Sequence, residues 1–311
     1  MSLPRLQLSV IGDEIGPTLD EMIAFAHEHD LKRLDMRTVA GRNLLAMTTE
    51  EVIHISRTLE KAGITVTAFV SPLFKWRAPG KAPPSGPVDF AFDPSQCPVE
   101  DWVAHAIQIA VILGAPHMRI FSYLRYPGFR HTDLYKIGGH LGKLLGLASH
   151  YDISLQLENE PVCNLGTIAE LAAFFEADEK LAQEAAETQD ELAALENAGT
   201  PDQPRYLRPL VDIANAWAAG ERPSDADIAT LAPFTTAIHL KDRDLAAGRV
   251  VPFGEGNVPW ADELRRLLAG VETKEVLASI ETHVPDDRRN ATARSLAGLR
   301  RIAGEIGVEI T

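Results

Sequence analysis

The strongest constraint on the fold is the alternation, along the whole chain, of short strand-like runs with longer amphipathic stretches. Runs such as ITVTAFV at 64–70 are rich in branched apolar residues, which is typical of buried strands. One amphipathic stretch begins at Thr48 or Thr49, either of which can cap a helix, and it ends at Gly63. The eight predicted strands span 6–11, 31–37, 64–70, 117–121, 153–158, 207–212, 235–241 and 276–281.

A helix or helical turn follows each predicted strand, and repeated units of this kind predict a parallel sheet covered by helices. The other predicted helices span 17–29, 99–113, 133–150, 166–196, 260–269 and 286–305. Eight such units in 311 residues fit a closed (β/α)8 barrel, so we predict one TIM-barrel domain over 1–311. An open doubly wound sheet is the alternative, but no Gly-x-Gly-x-x-Gly turn follows the first strand.

Two segments depart from this pattern. The segment 77–98 contains six prolines and follows the third predicted strand, so it belongs at the carboxyl end of the barrel. It forms either a lid or a disordered excursion. The segment 176–199, after strand five, contains eight acidic residues against one lysine. Such a helical insertion is either a solvated helix extension or an oligomerisation arm, which leaves a homo-oligomer possible.

Composition argues against several classes of protein. The chain carries 30 Lys and Arg against 44 Asp and Glu, a net charge of −14, whereas proteins that bind nucleic acids usually have a basic excess. The first ten residues lack the apolar run of a signal peptide, and no stretch reaches the roughly 20 apolar residues that span a bilayer. Cys97 and Cys163 cannot form a disulfide framework. We therefore expect a cytoplasmic protein that binds neither nucleic acid nor membrane.

Polar side chains lie at the ends of four consecutive predicted strands, where a TIM barrel has its active site. They are Glu158, Asp212, His239 and Glu281, and strand alternation directs them into the barrel. Each one alone is explained by a helix cap, an ion pair or a core histidine. Together, three carboxylates would repel one another unless a cation lay between them. Oxygen-rich ligands with one imidazole suit a single Mn²⁺, Mg²⁺ or Co²⁺ ion and also admit Zn²⁺.

Several motifs occur in a specific order along the chain: LDMR, NLLAMTTEEV, SPLFKW, LENEP, LVDIAN, IHLKDRD with PFGEGNVPW, and SIETH. This series resembles the xylose isomerase-like TIM-barrel superfamily, the sugar phosphate isomerase/epimerase family. The resemblance implies one divalent metal ion held by Glu158, Asp212, His239 and Glu281, with the two glutamates as acid–base groups. Many members have a histidine three residues after the strand-six aspartate, where this chain has Asn215. The resemblance therefore assigns no function of a histidine side chain to position 215.

Basic residues lie at or just after several predicted strand ends. They either balance the charge of the carboxylates or contact substrate hydroxyl, carboxylate or phosphate groups. Lys75, in SPLFKW, is a candidate catalytic residue that orients the substrate. The candidate substrate-binding residues are Arg37, Arg119, Asn215, Lys241 and Arg243.

These patterns predict a metal-dependent isomerase or epimerase that acts on a sugar or polyol-like carbonyl compound. One glutamate removes the proton next to the carbonyl, the metal stabilises the enediolate, and the other glutamate returns the proton. A lyase of the inosose dehydratase type would remove the same proton and then expel a hydroxyl group. An endonuclease IV-like phosphodiesterase would need several zinc ions, more histidines and a basic groove. A non-catalytic barrel used for binding or assembly is the least specific interpretation.

Overall fold

The computed structural model describes residues 3–81, 94–96, 98–137, 139–188 and 206–311. Eight strands form one sheet, and each lies within two residues of a predicted strand at both ends. The strands are β1 (Arg5–Val10), β2 (Arg33–Met36), β3 (Thr65–Phe69), β4 (His117–Ile120), β5 (Ser154–Glu158), β6 (Leu207–Val211), β7 (Ala237–Leu240) and β8 (Glu275–Ile280).

The sheet is parallel and has the order β1-β8-β7-β6-β5-β4-β3-β2. Its two outer strands, β1 and β2, meet through an isolated parallel bridge between Ile11 and Asp35. Lower in the same seam, Ile310 forms a parallel bridge with Leu6. The sheet therefore closes into the predicted (β/α)8 barrel, and the open doubly wound alternative is wrong.

Buried hydroxyl groups help to close the seam between β1 and β2. The carboxylate of Asp35 on β2 accepts hydrogen bonds from Ser9 on β1, at 3.0 Å, and from Thr67 on β3 and Ser279 on β8. All four side chains are buried inside the barrel. Because Asp35 has three donors, its burial costs less than that of an unpaired carboxylate. These bonds join four strands at the point where the regular ladder is interrupted.

Helices cover the outside of the barrel. Their bounds are α1 (Leu19–Glu28), α2 (Thr49–Lys61), α3 (Val99–Leu113), α4 (Asp133–Lys136), α5 (His140–His150), α6 (Ile168–Thr188), α7 (Ile213–Ala218), α8 (Asp225–Leu231), α9 (Trp260–Ala269) and α10 (Arg288–Ile306).

The capping residues explain where several helices begin and end. Thr48 caps α2 and forms a capping box with Glu51, and Gly114 ends α3 in a left-handed conformation with φ 65°. The single helix predicted over 133–150 is wrong, because the chain forms α4 and α5 there. Gly139, with φ 64°, lies between the two helices, and this conformation cannot continue an α-helix.

Two sequence predictions fall partly outside the described residues. These are positions 82–93 of the proline-rich loop and 189–199 of the acidic insertion, so the lid stays a prediction. The described part of the insertion continues α6 to Thr188, in agreement with a helical extension after β5. Cys163 is a buried free thiol, and Cys97 lies outside the described residues. No helix in the described ranges has the length and apolarity to cross a membrane. A cytoplasmic location stays a prediction.

Candidate metal centre

The structure brings together four polar side chains from the carboxyl ends of β5, β6, β7 and β8. Glu158 is the last residue of β5, Asp212 and Glu281 directly follow β6 and β8, and His239 lies in β7. One ligand atom from each lies within 4.8 Å of the others. None of these residues is more than 3% exposed. We call Glu158, Asp212, His239 and Glu281 the quartet.

Within the quartet, the imidazole of His239 lies between two carboxylates. Its Nδ1 atom is 3.2 Å from Glu158 Oε1 and 3.3 Å from Glu281 Oε2. Burial would lower the pKa of His239, but the charges of these two carboxylates outweigh burial and raise the pKa to about 9. For Glu158, burial acts in the opposite direction and would raise the pKa. The positive charges of His239 and Arg119 outweigh burial and lower this pKa to about 2. In this arrangement the imidazolium neutralises part of the charge of the two carboxylates.

Asp212 gives a test of whether the quartet fits a metal ion. Its Oδ2 atom is buried and has no hydrogen bond of acceptable geometry, although Lys241 Nζ lies 2.8 Å away. Burial, reinforced by the nearby charges of Glu158 and Glu281, raises the pKa of Asp212 to about 6 against the opposing charge of Lys241. A buried oxygen that accepts no hydrogen bond is available as a ligand, and three carboxylates with one imidazole suit a divalent cation. The residues fit the metal that the sequence implies.

Asn159 holds Asp212 in place, and the sequence analysis missed this role. The side chain of Asn159 donates to the backbone carbonyl of Asp212 at 2.8 Å and accepts from its backbone N–H at 2.8 Å. Asn215 completes the arrangement, since its N–H donates to Asp212 Oδ1 and its side chain donates to the carbonyl of Asn159, both at 2.8 Å. The available signal was the position of Asn159, directly after Glu158 in the LENEP motif.

Replacing Asn159 by alanine is expected to weaken divalent-metal affinity by about 10–100-fold, the usual effect of removing a group that orients a ligand. Asp212 would keep its charge but lose the two bonds that hold its backbone. Titration of the metal-free protein with Mn²⁺ measures the effect. Asn164→Ala is the matched control, because Asn164 is a buried asparagine of the same loop that binds the carbonyl of Ser122 instead. Equal metal affinity in the two variants would contradict the role of Asn159.

Three predicted basic residues contact the carboxylates of the quartet. Arg119 Nη1 lies 3.2 Å from Glu158 and 3.5 Å from Glu281. Arg37 Nη1 lies 2.9 Å from Glu281, and Lys241 Nζ lies 2.8 Å from the same side chain. These pairs place positive charge around the quartet, as the charge-balance interpretation expects.

The remaining candidates lie further from the quartet. Lys75 Nζ is 2.9 Å from Glu160 Oε2 and 4.7 Å from the ring centre of Phe121, at the mouth of the barrel. The guanidinium of Arg243 donates to the carbonyl of Gly248 at 3.4 Å, within the hairpin that follows β7. The structure thus pairs Lys75 with Glu160 and directs Arg243 into the hairpin.

A second group of acidic and basic side chains adjoins Glu281, and its member Glu14 was not among the predicted site residues. His283 lies 3.0 Å from Glu14 through Nδ1 and 3.3 Å from Glu281 Oε1 through Nε2. Arg37 bridges the same two glutamates. Burial would raise the pKa of Glu14, but the charges of His283 and Arg37 lower it to about 2. Glu14 follows β1, and its distance from Glu281 along the chain left no local pattern to reveal it.

The fold and the quartet define a TIM barrel with a candidate metal centre at the carboxyl ends of its strands. The family model described as the xylose isomerase-like TIM barrel matches residues 23–302. The chain belongs to this family, as its motifs indicated. A search of curated proteins gave no significant match.

Solved structures with the same fold cover nearly the whole chain. A structure of the IolI protein with a zinc atom has a TM-score of 0.68 at 12% identity, covering 97% of this chain and 99% of its own. D-allulose 3-epimerase from Methylomonas sp., in complex with D-allulose, has a TM-score of 0.66 at 13% identity, with 97% and 99% covered. The probable 3-DHS dehydratase AsbF from Bacillus anthracis has a TM-score of 0.61 at 15% identity, with 94% and 99% covered. These similarities establish a common fold.

Proposed function

We propose that this protein is a divalent-metal-dependent isomerase or epimerase that acts on a sugar or polyol-like carbonyl compound. The observation that carries the proposal is the buried quartet at the carboxyl ends of β5 to β8. Membership of the xylose isomerase-like family supports it. So do two neighbours of the same fold, one crystallised with zinc and the other an epimerase in complex with its sugar.

The four residues of the quartet would hold one Mn²⁺, Mg²⁺, Co²⁺ or Zn²⁺ ion. When bound, such an ion supplies a Lewis acid that polarises the substrate carbonyl and stabilises the negative charge that develops on its oxygen. His239 must lose its second proton to become a ligand, because a metal binds the neutral imidazole. The burial of all four residues excludes water from the donor atoms and strengthens their electrostatic interactions.

In this proposal, the two glutamates move a proton between opposite faces of the substrate. Glu158 and Glu281 belong to β5 and β8, which are separated by two strands of the barrel, so they approach its axis from different sides. Burial would raise the pKa of both side chains, but neighbouring positive charges lower it, so both are ionised at neutral pH. One ionised carboxylate would remove the proton next to the carbonyl and leave an enediolate. The glutamate on the opposite face must first take a proton from solvent, which it then delivers to the enediolate. The first glutamate releases its proton to solvent, so that both side chains are ionised again.

Replacing Lys75 by methionine is expected to lower kcat/KM by about 10–100-fold, the usual value of a charged hydrogen bond to substrate. The ammonium lies at the barrel mouth and pairs with Glu160, not with the quartet, so metal affinity and Tm should stay at wild-type values. Steady-state kinetics and a metal titration separate these quantities. If Lys75 only balances the carboxylate charge, metal affinity or Tm would change and the kinetic effect would follow from it.

A lyase of the dehydratase type is the second candidate. The shared fold with a probable 3-DHS dehydratase favours it over a phosphodiesterase or a non-catalytic barrel. The lyase would remove the same proton and then expel a neighbouring hydroxyl group.

The experiment that separates these reactions is a screen of ketoses, ketose phosphates and inososes with the metal-loaded protein in deuterium oxide. An isomer or epimer with deuterium next to the carbonyl would support the proposal. A product lighter by one water would favour the lyase. The absence of both turnover and metal binding would favour a non-catalytic barrel.

A further inference from the structure

Lys241 lies between two members of the quartet, Asp212 and Glu281. It directly follows β7, and its Nζ atom is 2.8 Å from Asp212 Oδ2 and 2.8 Å from Glu281 Oε2. Asp212 and Glu281 come from β6 and β8, the strands on either side of β7. Lys241 is only 3% exposed. The ammonium therefore occupies the space between two of the four donor residues that the proposed metal ion would use.

The ammonium is held there by charge, with poor hydrogen-bond geometry on one side. Lys241 donates a hydrogen bond to Glu281 at 2.8 Å, whereas its equally short contact with Asp212 Oδ2 leaves that oxygen without an acceptable hydrogen bond. These two short contacts place the Lys241 ammonium as a positive charge between carboxylates from β6 and β8.

A divalent ion and this ammonium cannot use the same oxygens together. Carboxylate oxygens bind such ions at roughly 2.0–2.2 Å, so an ion on Asp212 Oδ2 and Glu281 Oε2 would lie next to Nζ. At such a short distance, the divalent ion and the ammonium would repel each other strongly, because the buried site has a low effective dielectric constant. The side chain of lysine has a flexible stem of four carbon atoms, so its ammonium can move while its backbone stays in place.

We propose that Lys241 is an internal counter-ion that occupies the metal position in the metal-free protein and is displaced toward the barrel mouth when a divalent ion binds. This inference rests on the proposed metal-dependent function. It assigns two consecutive roles to one side chain. In the metal-free protein, Lys241 neutralises Asp212 and Glu281. In the metal-loaded protein, the released ammonium is available at the mouth to bind an oxygen atom of the substrate.

The test is the chemical reactivity of Lys241 with and without Mn²⁺. The wild-type protein is treated with isotopically labelled formaldehyde and a mild reductant, and methylation of each lysine is followed by mass spectrometry. Mn²⁺ is expected to raise the methylation rate of Lys241 at least about tenfold, because the amine passes from a buried to an exposed position. Lys32, whose side chain is 69% exposed at the other end of the barrel, is the matched control and should react equally in both states.

Calorimetric titration with Mn²⁺ makes the possible failures distinguishable. If Mn²⁺ binds and Lys241 stays protected, the displacement is wrong while the proposed metal-dependent function stands. If Mn²⁺ does not bind to the wild-type protein, both are overturned. Lys241→Met adds an independent measurement: it should bind Mn²⁺ at least about tenfold more tightly, because a competing like charge is removed. Weaker Mn²⁺ binding by this variant than by Lys32→Met would contradict the proposal.

Discussion

Replacing Glu158 or Glu281 by glutamine is expected to lower kcat by at least about 10²–10⁴-fold, the usual contribution of a general acid–base group. The amide keeps the size of the side chain but cannot accept the substrate proton, and it is a poorer metal ligand. Each side chain also loses its charge toward His239 and Arg119, so some loss of metal affinity adds to the effect. The measurement is deuterium incorporation at the substrate carbon, which should disappear in both variants.

Glu263→Gln is the matched control for these two substitutions. Glu263 is also buried and also ion-paired, with Arg266 at 2.6 Å, but it lies on α9 outside the barrel. This variant should keep wild-type exchange, whatever it loses in stability. A wild-type exchange rate in either Glu158→Gln or Glu281→Gln would mean that the corresponding glutamate is not the base on its face of the substrate.

Alanine in place of Asp212 or His239 is expected to lower divalent-metal affinity by more than about 100-fold, since removal of a ligand exceeds the 10–100-fold typical of a supporting residue. Both side chains project from the carboxyl ends of strands into the quartet, so their loss removes donor atoms while leaving the apolar contacts of the sheet with its helices intact. The metal content of the purified variants measures this effect, beside a circular dichroism spectrum that reports the fold.

His117→Ala is the corresponding control. His117 is another histidine of the barrel sheet, but it begins β4 at the opposite end and contacts Gln156 at 3.2 Å. Burial lowers its pKa to about 4, so it is neutral at pH 7 and carries no charge toward the quartet. This variant should retain full metal occupancy. Full occupancy in Asp212→Ala and His239→Ala as well would refute the four-ligand centre.

The strands of the barrel and the four residues of its candidate centre follow from local sequence patterns. The strands are short segments, some of them rich in branched apolar residues such as TVTAF in β3, and they alternate with longer amphipathic stretches. This information is contained in a few neighbouring residues. Once the units are taken as parallel, the carboxyl ends of all strands lie on one side of the barrel, so Glu158, Asp212, His239 and Glu281 must approach one another. One donor atom of each lies within 4.8 Å of the others in the structure, as this argument predicts.

The groups that contact this quartet, by contrast, depend on tertiary packing. Asn159 holds Asp212 across 53 positions of sequence, and Arg37 pairs with Glu281 across 244. No periodicity connects residues so far apart, because their proximity depends on how strands and loops pack. Lys241 could be predicted near the centre from its place two residues after His239. Its position between two donor oxygens, however, depends on the burial and charge of the folded site.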